Sequence, residues 1–158
     1  MAAERDMISV APDGSGAVRE PASGAFNVTV PPGEDVQAAM NRCPPGGSVL
    51  LLPGVHEGPL ALPPGKVVHV FGRGLATLWT ADGNVLTSSA AAATVDGLIV
   101  RREAGGEDDY GVWICGGQLR LQACNITSES LACVAFSGGA DPIVTHCKCV
   151  CGLELSRG

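Results

Sequence analysis

Near its end the chain reads His146-Cys147-Lys148-Cys149-Val150-Cys151, a dense group of soft metal ligands. Structural zinc sites usually separate their paired cysteines by about two to four residues, often with a second such pair elsewhere. Here the cysteines alternate with other residues, and on a strand that spacing points all three sulfurs to one side. The run therefore reads as small apolar filling, and no metal ligand set is expected. The acidic run Glu107-Asp108-Asp109, flanked by glycine and Tyr110, offers hard oxygen donors for a cation such as Ca²⁺. Calcium loops alternate their ligands along the chain, whereas adjacent acids on a Gly-flanked loop more commonly mark a solvated turn. Hydrolysis of a glycoside needs a pair of carboxylates across the scissile bond. The surface that can be placed most securely, described below, offers only Glu154, with no Arg or Lys beside it. No catalytic residues, and no cofactor, are expected.

The elements that must carry these residues follow from composition and repetition. The chain has 158 residues, a formal net charge of −6 and 46% hydrophobic residues, so one globular domain with a contiguous core is expected. Twenty-two glycines and eleven prolines against 4% aromatics point to many turns and regular, thin packing layers. Nucleic acid, bound mainly by neutralising phosphates, is a poor partner for an acidic chain with scattered arginines. The longest apolar run, at Val49, is broken by Pro53 and Gly54, so no membrane span is expected. The first residues lack the basic-then-apolar order of a secretory signal, and seven cysteines without one read as reduced thiols in the cytoplasm. On that view the sequons at Asn27 and Asn125 are accidental.

Two interleaved series of repeats run through the second half. Thr94-Val-Asp-Gly-Leu-Ile, Leu121-Gln-Ala-Cys-Asn-Ile and Val144-Thr-His-Cys-Lys-Cys share an apolar or branched start, a small fourth residue and an apolar sixth. Placed in register, they stack Gly97, Cys124 and Cys147 in one column and Ile99, Ile126 and Cys149 in another. Val112-Trp-Ile-Cys-Gly-Gly, Val134-Ala-Phe-Ser-Gly-Gly and Leu153-Glu-Leu-Ser-Arg-Gly form the second series. Period-2 alternation turns Val112, Ile114, Val134, Phe136, Leu153 and Leu155 inward, and Trp113, Ala135 and Glu154 outward. The glycines that follow end each strand and permit positive φ. Three strands of about five residues with their turns need roughly 21 to 33 residues per circuit, and the repeat spacings of 27, 23, 22 and 19 residues sit at the lower part of that window, the last just below it. The chain is therefore expected to be all-β, a right-handed parallel β-helix in which each turn stacks on the last. Another all-β solenoid, and after it a sandwich, are the alternatives.

Residues 1–25 carry almost no periodic apolar content and read as a poorly ordered lead-in; the solenoid domain is expected over 26–158. Phe26 to Val30 reads as a strand. Pro32 through Asp35 supply helix-start chemistry, and Val36, Ala39, Met40 and Cys43 then share one helical face. That short N-terminal helix would cover the open end of the coil. At the other end a further coil begins and stops at Gly158, so the domain is expected to be truncated there or to stack end to end on a partner or on itself.

Val36, Gln37, Ala38 and Ala39, followed by Gly47, Ser48, Pro53, Gly54, His56, Glu57 and Gly58, resemble the capping helix and first coil of the pectin-lyase-like right-handed β-helix superfamily. His56 stands where tyrosine is more usual. Residues 26 to 158 are most similar to the intracellular branch, the F-box proteins with β-helix repeats and the SHC-SH2-domain-binding spindle proteins. The superfamily includes lyases, hydrolases, esterases and non-enzymatic scaffolds, so the resemblance implies the fold and leaves the activity open. The expected function is a non-catalytic scaffold that presents a stacked sheet face, with Trp113, Ala135, Ser137 and Glu154, to a protein partner. The alternatives are a carbohydrate-binding module or part of a polysaccharide-active enzyme, since an outward Trp also stacks on sugar rings, and an architectural role through self-association.

Overall fold

The computed structural model describes residues 26–81, 83–103, 109–129 and 132–151. In chain order they form β1 (Val28–Val30), α1 (Val36–Arg42), β2 (Gly47–Leu51), β3 (Gly54–Glu57), β4 (Leu60–Leu62), β5 (Val67–Thr80) and β6 (Leu86–Ser88). These are followed by β7 (Ala92–Arg102), β8 (Val112–Ile114), β9 (Gln118–Gln122), β10 (Asn125–Ser128), β11 (Val134–Phe136), β12 (Ile143–Thr145) and β13 (Lys148–Cys151). Every described strand pairing is parallel, as in a chain that returns to the same place each turn. The result is a β-solenoid of about 5 turns.

Each full coil contributes two strands that meet at a corner and a third, short strand. The paired strands build a nine-stranded sheet; β5 and β7 run through the corner unbroken, so β5 pairs with β2 over its first half and β3 over its second. The short strands make a separate four-stranded sheet in the order β11-β8-β6-β4. Equivalent side chains stack into inward columns. Val49, Val70, Val95 and Leu121 form one, Leu78, Val100 and Ile126 a second, and Leu60, Leu86 and Val112 a third, all buried. Burying each such side chain contributes about 1.5–3 kcal/mol, and the columns repeat that gain at every turn.

The N-terminal end is covered as expected. Asp35 caps α1 by accepting the backbone N–H of Ala38, and Val36, Ala39, Met40 and Cys43 are buried in the common core. The helix lies against β1 and β4. Gln37 reaches the edge of β4, where its side chain accepts the Ala61 N–H at 2.8 Å and donates to the Ala61 carbonyl at 3.1 Å. A side-chain amide thereby occupies backbone groups that would otherwise offer an open edge for pairing. No helix among the described residues is long and apolar enough to cross a membrane.

The second repeat series aligns in the structure as it does in the sequence: Val112 pairs with Val134, Trp113 with Ala135 and Ile114 with Phe136. Glycines of its Gly-Gly signatures, Gly117 and Gly138, do adopt positive φ. The first series needs a correction of one residue between Thr94 and Leu121. Thr94 pairs with Arg120 and Val95 with Leu121, so Ile126 stacks on Val100 rather than Ile99. The cause is the corner. Gly97 is itself the left-handed corner residue, at φ 71°, and a Cβ there would come within 2.9 Å of the Arg73 nitrogen. Ala123 (φ 55°) and His146 (φ 54°) hold the same conformation in the next two coils. Gly97 therefore corresponds to Ala123, and the inward slot that Cys124 fills belongs in the preceding coil to Leu98. The pairing of Ile126 with Cys149 is as expected. Phe136 also departs from expectation: it continues the inward column of Ile114, yet it is 59% exposed. Val134 on the same strand is half-buried, and β11 is the last described strand of the short-strand sheet.

Candidate functional site

The four short strands carry one outward column, in which Ala61, Thr87, Trp113 and Ala135 are successive ladder partners. Alternation fixes their direction, because Val112 and Ile114 on either side of Trp113 are fully buried. Trp113 is half-buried, and the reason is Tyr110. The two rings stack with centroids 5.8 Å apart and planes 22° from parallel, so one indole face is already occupied. Small side chains flank the Trp on both neighbouring strands. Beyond the strand ends, Cys115 and Ser137 are exposed, and the Ser137 N–H donates to the Ile114 carbonyl at 3.1 Å.

Tyr110 is held in place from its backbone. Its N–H donates to the Asn84 side chain at 2.6 Å and its carbonyl accepts the Val85 N–H at 3.3 Å. Gly111 follows, where a Cβ would press within 2.9 Å of Ile126 Cγ2. One residue earlier, Asp109 accepts a hydrogen bond from Arg102 Nη2 at 2.9 Å. Arg102 is the residue that the sequence reading passed over. Its register with Thr80 and Ser128 turns it inward, and it is 1% exposed. Its Nε donates to the Gly83 carbonyl at 2.7 Å, while Nη1 is buried without a partner among the described residues. A buried guanidinium is costly unless paired. Here it ties two successive inter-strand connections to the coil wall and fixes the approach of the segment that delivers Tyr110 to Trp113. The one sequence signal available was an Arg at an alternating position whose neighbours, Val100 and Leu98, are apolar.

The remaining sequence candidates fall as follows. Ala135 is half-buried beside Trp113 and Ser137 is exposed, so three of the four expected contact residues share one face. Glu154 lies outside the described residues, as do Glu107 and Asp108. Asp109 is engaged by Arg102. Cys147 is half-buried against the core and Cys149 is exposed. Among the described residues no three His, Cys, Asp or Glu side chains converge on a point where a metal ion could sit.

Two further polar sites stand apart from this face. On the long sheet Ser48, His69 and Thr94 are ladder neighbours, and both Ser48 Oγ and His69 Nδ1 are buried without hydrogen-bond partners among the described residues. Burial lowers the pKa of His69 below the ordinary imidazole value. A serine beside a neutral histidine suggests nucleophile chemistry, but the hydroxyl is fully buried and the two groups do not hydrogen-bond. His56 points into the first coil and its Nε2 contacts the Leu52 carbonyl at 2.8 Å, a structural contact. Near the helix start, Gly33, Glu34, Asp35, Glu57 and Gly58 line a concavity of about 270 Å³. The Asp35 carboxylate there is committed to the helix cap.

No family model matches the chain, and no curated protein or solved structure matches it either.

Proposed function

We propose that this β-solenoid is a non-catalytic interaction module of pectin-lyase-like type, whose short-strand sheet is the face offered to a protein partner. The observation that carries the reading is the Trp113–Tyr110 stack, set outward among Ala61, Thr87 and Ala135. Such an arrangement suits binding on physical grounds. An indole already ordered by a neighbouring ring loses little side-chain entropy on contact, and small flanking residues let a partner's surface approach the sheet closely. Cys43, Cys115, Cys124, Cys133, Cys147 and Cys149 are free thiols, which supports a reducing, cytoplasmic setting for the module.

The same aromatic stack favours one second reading. A ring platform among small side chains also suits a sugar face, so a carbohydrate-binding module is the alternative. Capture from cell extract by the parent chain, Trp113→Ala and Ala135→Arg, with a glycan array in parallel, separates the two. Each variant is first checked for a parent-like circular dichroism spectrum. Proteins retained by the parent and lost by both variants support the scaffold. Glycan binding lost in both variants, without protein capture, replaces it with the carbohydrate reading. Equal capture by all three chains removes this face from consideration.

A further inference from the structure

Cys124 and Cys147 occupy the same position in consecutive coils, directly after the left-handed corner residues Ala123 and His146. The ladder pairs Asn125 with Lys148, which places the two cysteines side by side across one coil spacing. Neighbouring parallel strands lie about 4.8 Å apart. Disulfides are made between Cα atoms about 4.4–6.8 Å apart, so the backbones already stand within bonding range. The Cys147 sulfur also lies against the Cys124 backbone. Cys147 Sγ accepts the backbone N–H of Cys124 at 3.4 Å, while the Cys124 thiol donates to the Val95 and Gln122 carbonyls at 3.4 and 3.5 Å.

The two thiols differ in character. The neighbouring Cys124 side chain holds Cys147 below the ordinary thiol range, to about 6, helped by the Cys124 N–H and by His146. The same contact, and then burial, pushes Cys124 well above that range. Asp96, one coil back, acts in the same direction on Cys124. Access differs as well: Cys124 is buried, whereas Cys147 is half-buried and lies in the last described coil. The pair thus combines a reachable, thiolate-forming sulfur with a protected thiol in contact with it, the arrangement expected of a redox-sensitive site.

We propose that Cys147 and Cys124 are a reversible redox pair that closes to an inter-coil disulfide on exposure to a hydroperoxide. In the first step the Cys147 thiolate attacks one oxygen of the peroxide. An S–O bond forms, the O–O bond breaks, and the hydroxide that leaves takes up the proton Cys147 released on ionising and becomes water. In the second step the Cys124 sulfur attacks Cys147, forming the S–S bond as the S–O bond breaks. The departing hydroxide takes the Cys124 proton and leaves as water. Two thiols are oxidised and one peroxide is reduced to two waters; a small dithiol reverses the change by exchange. The bond would tie the last described coil to the one before it at their shared corner. This site is independent of the Trp113 face, so its success or failure leaves the partner reading untouched.

The test uses the full chain, reduced and then treated with hydrogen peroxide. Trypsin leaves both cysteines in one peptide, so digestion must cut between them, after Phe136 for example. The expected result is a peptide pair linked through Cys124 and Cys147 that disappears on treatment with dithiothreitol. Cys147→Ser should lose the linkage. Cys124→Ser should also lose it, and should accumulate a sulfenic acid at Cys147 that a dimedone probe labels. Cys124→Ala serves as a second variant if the serine disturbs the buried site. Oxidation confined to the exposed Cys115 and Cys149, linkage of Cys147 to a different cysteine, or a dimedone label at Cys147 no greater in Cys124→Ser than in the parent would each overturn the proposal.

Discussion

Gly117 offers the sharpest test of the stacked-coil geometry, because its neighbour Gly116 supplies a matched control. Gly117 sits at φ 71°, and an added Cβ would overlap the Ala90 carbonyl oxygen of the preceding coil and lie 2.8 Å from its carbon. A left-handed backbone costs a non-glycine residue about 1–2 kcal/mol by itself. The overlap is with backbone, so no rotamer change relieves it; the coils must separate locally. Separation weakens the hydrogen bonds that fix this turn, from Gln118 N–H to the Ala91 carbonyl at 3.2 Å and from Asp141 N–H to the Gly117 carbonyl at 2.9 Å. At about 1 kcal/mol for each such bond, Gly117→Ala should destabilise the protein by about 3–4 kcal/mol in total. Gly116 has no positive φ and nothing within 4 Å of a Cβ, so Gly116→Ala should remain within about 0.5 kcal/mol of the parent. Urea unfolding followed by far-UV circular dichroism reads both. If Gly117→Ala loses less than about 1 kcal/mol, or no more than Gly116→Ala, then residue 117 does not lie against the preceding coil and the deduced packing is wrong.

Other expectations test the interior. Arg102→Met keeps the buried stem but removes only one partner of the ion pair, together with its hydrogen bonds to the Gly83 carbonyl and Asp109. Breaking a fully buried pair from one side costs about 3–5 kcal/mol; the Asp109 side chain is 37% exposed and regains water, so a loss of about 1–3 kcal/mol is expected, with Asp109 released and the Tyr110–Trp113 stack loosened. In a Trp79→Phe background that release reads as a red-shifted, more quenchable Trp113 fluorescence, and an unchanged spectrum would separate Arg102 from the aromatic site. A pH titration tests His69. Its pKa is lowered in the folded protein by burial, so the unfolded chain takes up a proton first as the pH falls. The associated stability is complete above the unfolded value near about 6.5 and is lost as the pH drops through the folded one, at no more than about 1.4 kcal/mol per pH unit for a single proton. His69→Gln should flatten this part of the profile; a parent profile that is flat or rises toward lower pH would contradict the assigned burial.

Much of this architecture was readable because a solenoid writes its geometry as a period. Val112 and Val134 each begin a triplet of inward, outward and inward residues followed one residue later by Gly-Gly, and both the register and the positive φ at Gly117 and Gly138 agree with that pattern. The capping helix was equally plain, since Asp35 and the spacing of Val36, Ala39, Met40 and Cys43 each point to the same start and the same buried face. The one-residue slip at Gly97 has a definite physical origin. Small residues are interchangeable to a pattern search, but a left-handed corner and an inward slot are different environments. In the coils after Gly97 the corner is held by Ala123 and His146, and without glycine there the sequence does not mark a positive φ.

The aromatic site was legible only in part, and for a different reason. Strand alternation alone turns Trp113 outward, because its direction depends on residues next to it in the chain. Whether it stands bare depends on the path between β7 and β8, and that path is set by contacts no local pattern contains. Asn84 receives the Tyr110 N–H across one coil, and Asp109 is held by an arginine whose charge gives every sequence-level reason to place it in solvent. Arg102 can remain inside because it lies near the end of its strand, where the Gly83 carbonyl and Asp109 come within reach of the guanidinium. An inward arginine at mid-strand would face only the apolar columns, with no oxygen to pair with. The residue that positions the candidate face is thus concealed in the sequence by the property that lets it work, a charge retained inside because two successive connections meet it there.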